Sequence, residues 1–124
     1  MGLRNFMDFK RADRVGEQLR HEIADILLRK VKDPRVSGIS ITEVEVTDDL
    51  RNAKVFVSTY GVAVSNEEVL KGLKSAASFI RAEVLRRLQI KRVPELVFKV
   101  DTSIERGVRI MEILEDLKKK GEDL

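Results

Sequence analysis

The chain has no cysteine and no tryptophan, and only two prolines, one tyrosine and one histidine among its 124 residues. Without cysteine there is no disulfide framework and no thiolate chemistry, which suits a reducing compartment, so the cytoplasm is the expected location. His21 has no second histidine and no cysteine with which to complete a metal shell. It lies inside a helical pattern and reads as a surface or half-buried residue. No apolar stretch approaches the roughly 20 residues needed to cross a bilayer, and the first residues lack the apolar stretch and small-residue cleavage site of a secretory signal. Phe6 stands where a myristoylation motif wants Ser or Thr. No membrane association is expected. Also missing are a glycine-rich phosphate loop, a zincin helix and a nucleophile elbow. Asp48 and Asp49 are neighbours on a turn and point apart, so turn formation is their expected task. The chain is read as non-catalytic, without cofactor or metal.

What is present is charge. Charged residues make up 36% of the chain, with a net charge of +3, a composition also met in thermophile proteins. The balance is uneven. Residues 71–92 hold Lys71, Lys74, Arg81, Arg86, Arg87, Lys91 and Arg92 against Glu83 alone, a net +6, while residues 38–70 come to −4. A basic segment on an acidic body aims a positive field in one direction, which attracts and orients a polyanion. Such a row can also simply solvate a helix face, but the glutamates at i,i+4 spacing that would neutralise it are nearly absent from the segment. Lys118, Lys119 and Lys120 close a helix, where cations favour the dipole, and carry less weight.

The length fits one domain, 1–124, with a flexible tail from about 119. Val15, Leu19, Ile23, Ile26, Leu27 and Val31 recur at three- and four-residue steps and predict a helix over 12–31. It stops before Pro34, which disfavours helical backbone in the preceding residue. Ile39 and Ile41 share one parity and Val44 and Val46 the other, so the first strand changes phase near Thr42 and Glu43, as a β-bulge would make it do. A polar turn at 48–52 leads to alternating Ala53, Val55 and Val57 and so to a hairpin. Ser65 and Glu68 form a capping box that opens a helical run over 66–88. Gly72, Ser75 and Ser78 inside that run leave two forms open, one kinked helix or two short ones. Pro94 introduces a strand at 95–101, with Leu96, Phe98 and Val100 on one face. A second capping box, Thr102 with Glu105, opens a last helix reaching Lys119. Phe56, Phe79 and Phe98 read as core. The third strand can pair parallel to one hairpin strand in a three-stranded mixed sheet with helices on one face, an α+β fold.

Arg14-Val15 and Glu22-Ile23, the loop Lys32-Asp33-Pro34-Arg35-Val36, the stretch Val44-Glu45-Val46-Thr47-Asp48-Asp49-Leu50, then Ala53-Lys54-Val55-Phe56-Val57 closely resemble the ribosome-binding factor A family. Phe79-Ile80-Arg81, Pro94-Glu95-Leu96-Val97-Phe98 and Asp101-Thr102-Ser103-Ile104 extend the likeness over nearly the whole chain. The resemblance implies a type II KH-like domain of order α-β-β-α-(kink)-α-β-α, in which an Ala-x-Gly kink replaces the usual loop between two helices. Here Ala76, Ala77 and Ser78 stand at the kink, with serine in the glycine position. It further implies a monomeric ribosome biogenesis factor that binds the free small (30S) subunit and its 16S rRNA, assists late rRNA maturation and cold adaptation, and leaves before translation.

The charge pattern and the resemblance converge on residues 71–92. Lys71, Lys74, Arg81, Arg86, Arg87, Lys91 and Arg92 are the expected RNA-binding set, because guanidinium forks grip phosphate bidentately and stack on bases. Lys30, Lys32 and Arg35 either extend that footprint or solvate a turn. With few aromatics, RNA shape and backbone are the expected targets. Two rivals remain: a KH-like module for another structured nucleic acid, and a module that docks on a ribosomal protein through the acidic hairpin bearing Glu43 and Glu45.

Overall fold

The computed structural model describes residues 3–122, with side chains from 10 to 121. Helix α1 runs Leu3–Arg29, a 3-10 turn Pro34–Val36, strands β1 Ser40–Val46 and β2 Asn52–Ser58, helix α2 Asn66–Leu88, strand β3 Glu95–Val100 and helix α3 Ser103–Glu122. The sheet order is β1-β2-β3. β1 and β2 are antiparallel and β2 and β3 parallel, giving the mixed sheet that the sequence predicts.

Alternation sets which residues face inward. Val44 lies opposite Val55 and Val46 opposite Ala53, while Leu96, Phe98 and Val100 pair with Ala53, Val55 and Val57. This face meets Leu19, Ile23 and Ile26 of α1 and Val69, Leu73, Ile80 and Val84 of α2, all fully buried. The register slips between Ile41 and Glu43, so the phase change read from the sequence is a bulge at Thr42.

Glycine decides how closely the layers meet. A Cβ on Gly16 would sit 2.7 Å from the Val44 carbonyl oxygen, so α1 lies directly on the β1 backbone there. Gly72 does the same for α2: a Cβ would come 2.8 Å from Val36 Cγ1 and 3.0 Å from the Arg35 Cβ. Its place in the sequence suggests a bend, yet it is a packing position inside a continuous helix.

Of the two forms left open for 66–88, the structure has one continuous helix through Ala76-Ala77-Ser78, not two short ones, and Ser78 is not among the residues with positive φ. Left-handed backbone carries a steric cost for serine that glycine avoids, and the helix continues through Ser78. The left-handed residue comes instead at Gln89, which ends α2. Other features differ from expectation. Phe79 is 45% exposed, and Phe56 faces away from the core. Of the three phenylalanines read as core, only Phe98 packs against it. Helices α1 and α2 cover the sheet, but among the described side chains of α3 none is buried. Ile104, Val108, Ile110, Met111, Ile113, Leu114 and Leu117 are all exposed on it, Met111 at 62%. The tail expected from 119 is helical to Glu122, and the last two residues lie outside the described ones.

Candidate nucleic-acid interface

The basic segment does not form one groove. Arg87 is only 20% exposed and turns toward α1, where its Nη1 donates to Asp25 Oδ2 at 2.7 Å and Glu22 Oε2 at 3.1 Å. Its Nε lies 3.6 Å from Glu83. Arg81 spans from α2 to the start of β3, donating to the carbonyls of Val93 at 3.0 Å and Pro94 at 3.3 Å and pairing with Glu95 at 3.4 Å. Both arginines fasten elements of the fold together. Lys71 is shared by Glu67 and Glu68, one turn earlier on α2 and just outside the basic segment. Arg86 pairs with Glu83 at 2.8 Å while remaining two-thirds exposed. Lys74, Lys91 and Arg92 are exposed and form no ion pair among the described residues.

Two basic surfaces result. The first is the cleft, about 380 Å³, between the third and fourth turns of α1, the β1–β2 turn and the α2–β3 loop, where Arg11, Asp49, Lys91 and Arg92 surround Val15, Leu50, Ile90 and Pro94. Sequence reasoning missed Arg11, although its spacing, one turn before Val15, carried the signal. Leu50 holds left-handed backbone with φ 62° at the turn, and the bond from Thr47 Oγ1 to Asp49 at 2.6 Å braces the same turn. The Asp49 carboxyl is held below its ordinary range, first by that hydroxyl and then by the Arg51 backbone N–H.

The second surface is the seam where α2 meets the end of α1 and the loop that follows. Asp33 caps the 3-10 turn by accepting the Arg35 backbone N–H at 2.9 Å, and its carboxylate also grips the Arg35 side chain at 2.7 Å. These bonds hold the Asp33 carboxyl below its usual range and fix the loop against Gly72. Further along α2, the bond from Arg86 depresses the Glu83 carboxyl, and Arg87 and Lys30 add their charge. Lys30 is therefore an exposed cation near Glu83 of α2, whereas the exposed Lys32 lines a separate cavity, about 670 Å³, between the end of α1, the loop after it and the start of β1.

Nothing else in the described residues recommends chemistry. They contain no group of three metal-ligating side chains, and no helix of the structure is long and apolar enough to cross a membrane. His21 is exposed next to Arg20. Glu43 and Glu45 lie on the outer face of the sheet, opposite Phe56 and Lys54.

The family profile described as "Ribosome-binding factor A" matches residues 11–114. Ribosome-binding factor A of Halothermothrix orenii is 47% identical over 116 residues, covering 94% of this chain and 95% of that one. Among solved structures, the crystal structure of ribosome-binding factor A from Thermus thermophilus is similar with a TM-score of 0.65 at 24% identity, over 72% of this chain and 93% of that one. The same factor as fitted into a cryo-EM map of a 30S–RbfA complex gives a TM-score of 0.61 at 23% identity, over 73% of this chain and 96% of that one. The structural likeness speaks for the fold, a KH-like α+β domain with the three-stranded mixed sheet described above. The sequence match extends over nearly all of it, including the loop at Asp33 and the strand after Pro94. The chain belongs to the ribosome-binding factor A family.

Proposed function

We propose that the chain binds the free small ribosomal subunit through the backbone of its 16S rRNA and assists late maturation of that rRNA in the cytoplasm, without catalysing a reaction itself. The observation that carries this is a set of exposed cations, Lys30, Lys32, Lys74, Lys91 and Arg92, none of which forms an ion pair within 4 Å among the described residues. An exposed pair on a protein surface gains little, whereas an uncompensated cation releases counterions when it meets a phosphate. The Thermus factor in its 30S complex supports the same target.

Co-sedimentation with free small subunits tests the reading. Binding weakens steeply with salt, each neutralised phosphate adding roughly 0.7 to 0.9 to the log-log slope. Changing Lys91 and Arg92 together to Glu abolishes co-sedimentation and leaves the melting temperature unchanged. Changing Glu43 and Glu45 to Lys preserves it; loss in that variant instead would favour docking on a ribosomal protein. Cells without the chain accumulate small subunits with unprocessed rRNA ends, most of all in the cold.

A further inference from the structure

Leu50 and Gln89 are the two residues other than glycine that hold left-handed backbone among the described ones, with φ 62° and 51°. Each carries a steric cost there that glycine avoids. Such strain persists where the surroundings fix it, and it clusters at ligand sites. Both residues border one cavity: Leu50 is part of its wall, and Gln89 turns the chain out of α2 into Ile90, which is part of the wall too.

This cavity is the cleft of about 380 Å³ described above, a volume suited to one small ligand. It lies at the end of the sheet where β2 and β3 begin, since Asn52 pairs with Glu95 there. Its lining comes from α1, the β1–β2 turn and the loop before β3, with no residue of α2 itself. The cleft is therefore a separate place from the Ala76-Ala77-Ser78 stretch.

Three kinds of group meet in it. Val15, Leu50, Ile90 and Pro94 give aliphatic walls. Arg11, Lys91 and Arg92 are exposed around them and form no ion pair among the described residues. The third is a single carboxylate, Asp49. Its Oδ1 accepts the Thr47 hydroxyl and the Arg51 backbone N–H, while its Oδ2 accepts no hydrogen bond among the described residues.

An anion on an aliphatic tail would satisfy the cations and the walls and leave Asp49 facing a like charge. A nucleotide meets all three, because it keeps its phosphate apart from a flat ring whose edge carries N–H donors. We propose that the cleft takes one unpaired nucleotide of the bound RNA. The base lies between the aliphatic walls with an N–H toward Asp49, and the adjoining phosphates rest on Arg11, Lys91 and Arg92. The proposal rests on the RNA-binding reading and deepens it from contact with the backbone to capture of a base. Every base has a flat face and an N–H on its pairing edge, so the cleft selects for strandedness and not for sequence. A duplex keeps both out of reach.

Tetrauridylate, and a strand of the same length and charge built without bases, are titrated into the full protein and followed by NMR at the Ile90 methyl groups. Wild type binds tetrauridylate about tenfold more tightly than the base-free strand. That difference vanishes in Leu50→Asn, since asparagine tolerates left-handed backbone but puts an amide in place of the apolar wall. Leu50→Gly relieves the backbone and removes the wall, and gives the same result should asparagine disturb the turn. Lys91→Gln with Arg92→Gln weakens both strands alike and lowers the salt dependence. The cleft proposal is overturned if wild type binds the two strands equally, or if both Leu50 variants still distinguish them. An acidic peptide of equal charge that binds there as tightly as tetrauridylate would overturn it too. In each of these cases salt-dependent binding of small subunits persists and the RNA reading stands. That reading fails separately, if wild type binds neither strand and meets small subunits without salt dependence.

Discussion

At the scale of single residues, space decides which glycines can change. In an exposed helix interior Gly→Ala gains about 1 kcal/mol of helix propensity, and overpacking costs typically about 1–3 kcal/mol. At Gly107 nothing lies within 4 Å of an added Cβ, so Gly107→Ala stabilises. At Gly16 the obstacle is a backbone oxygen at 2.7 Å that cannot rotate away, so Gly16→Ala destabilises by up to about 2 kcal/mol net, read from urea denaturation. Charge follows similar logic. Asp25 is depressed first by the bond from Arg87 and then by Arg29, and Asp33 by Arg35. Their folded pKa values lie below the unfolded ones, so they stabilise the protein above the ordinary carboxylate range, and that contribution is lost as pH falls through the folded values. The urea midpoint is flat around neutrality and falls below about pH 4; in Arg87→Gln that acid-induced fall is smaller. The roles of Arg87 and Arg81 were not legible in the sequence. Their partners stand 62 and 65 residues away for Arg87 and 12 and 13 away for Arg81, and a count of local charge cannot see them.

At the scale of elements, the strands were the most legible part, because period-two alternation names both the element and its buried face. The bulge was visible for the same reason, as two parities within one strand. Its purpose was not. Thr42 is the residue the slip releases, and its hydroxyl donates at 2.6 Å to Asp101 Oδ2, whose other oxygen accepts the Ser103 backbone N–H at 2.9 Å. The bulge thus reaches across the sheet to fix where α3 begins, and the start of α3 is held by Asp101, not by the side-chain capping expected of Thr102. Replacing Thr42 by Val removes that bond, and hydrogen exchange in the first turn of α3 accelerates while the core strands keep their protection. α3 itself shows what periodicity leaves out. Its apolar spacing predicts an amphipathic helix, and a helix it is, but the pattern cannot say whether the covering surface belongs to the same chain. Because α3 buries no residue, truncation after Thr102 leaves the melting temperature of the remaining domain nearly unchanged. The helix at 66–88 teaches the converse, since small residues that permit a break do not impose one.

At the scale of the whole molecule, the fold divides the basic segment that the sequence shows at 71–92. Two of its arginines bind the fold together, and the cations that remain exposed are joined by residues from elsewhere in the chain, Arg11 at one cleft and Lys30 near Glu83 of α2. Only the folded arrangement of α1 on α2 brings these together. The most direct test compares wild-type protein with a variant in which Lys30, Lys32, Lys91 and Arg92 are all changed to Gln, measuring affinity for free small subunits over a range of salt. Four lost phosphate contacts reduce the log-log slope by roughly 3, with the melting temperature unchanged. An unaltered slope in a folded variant would contradict the account.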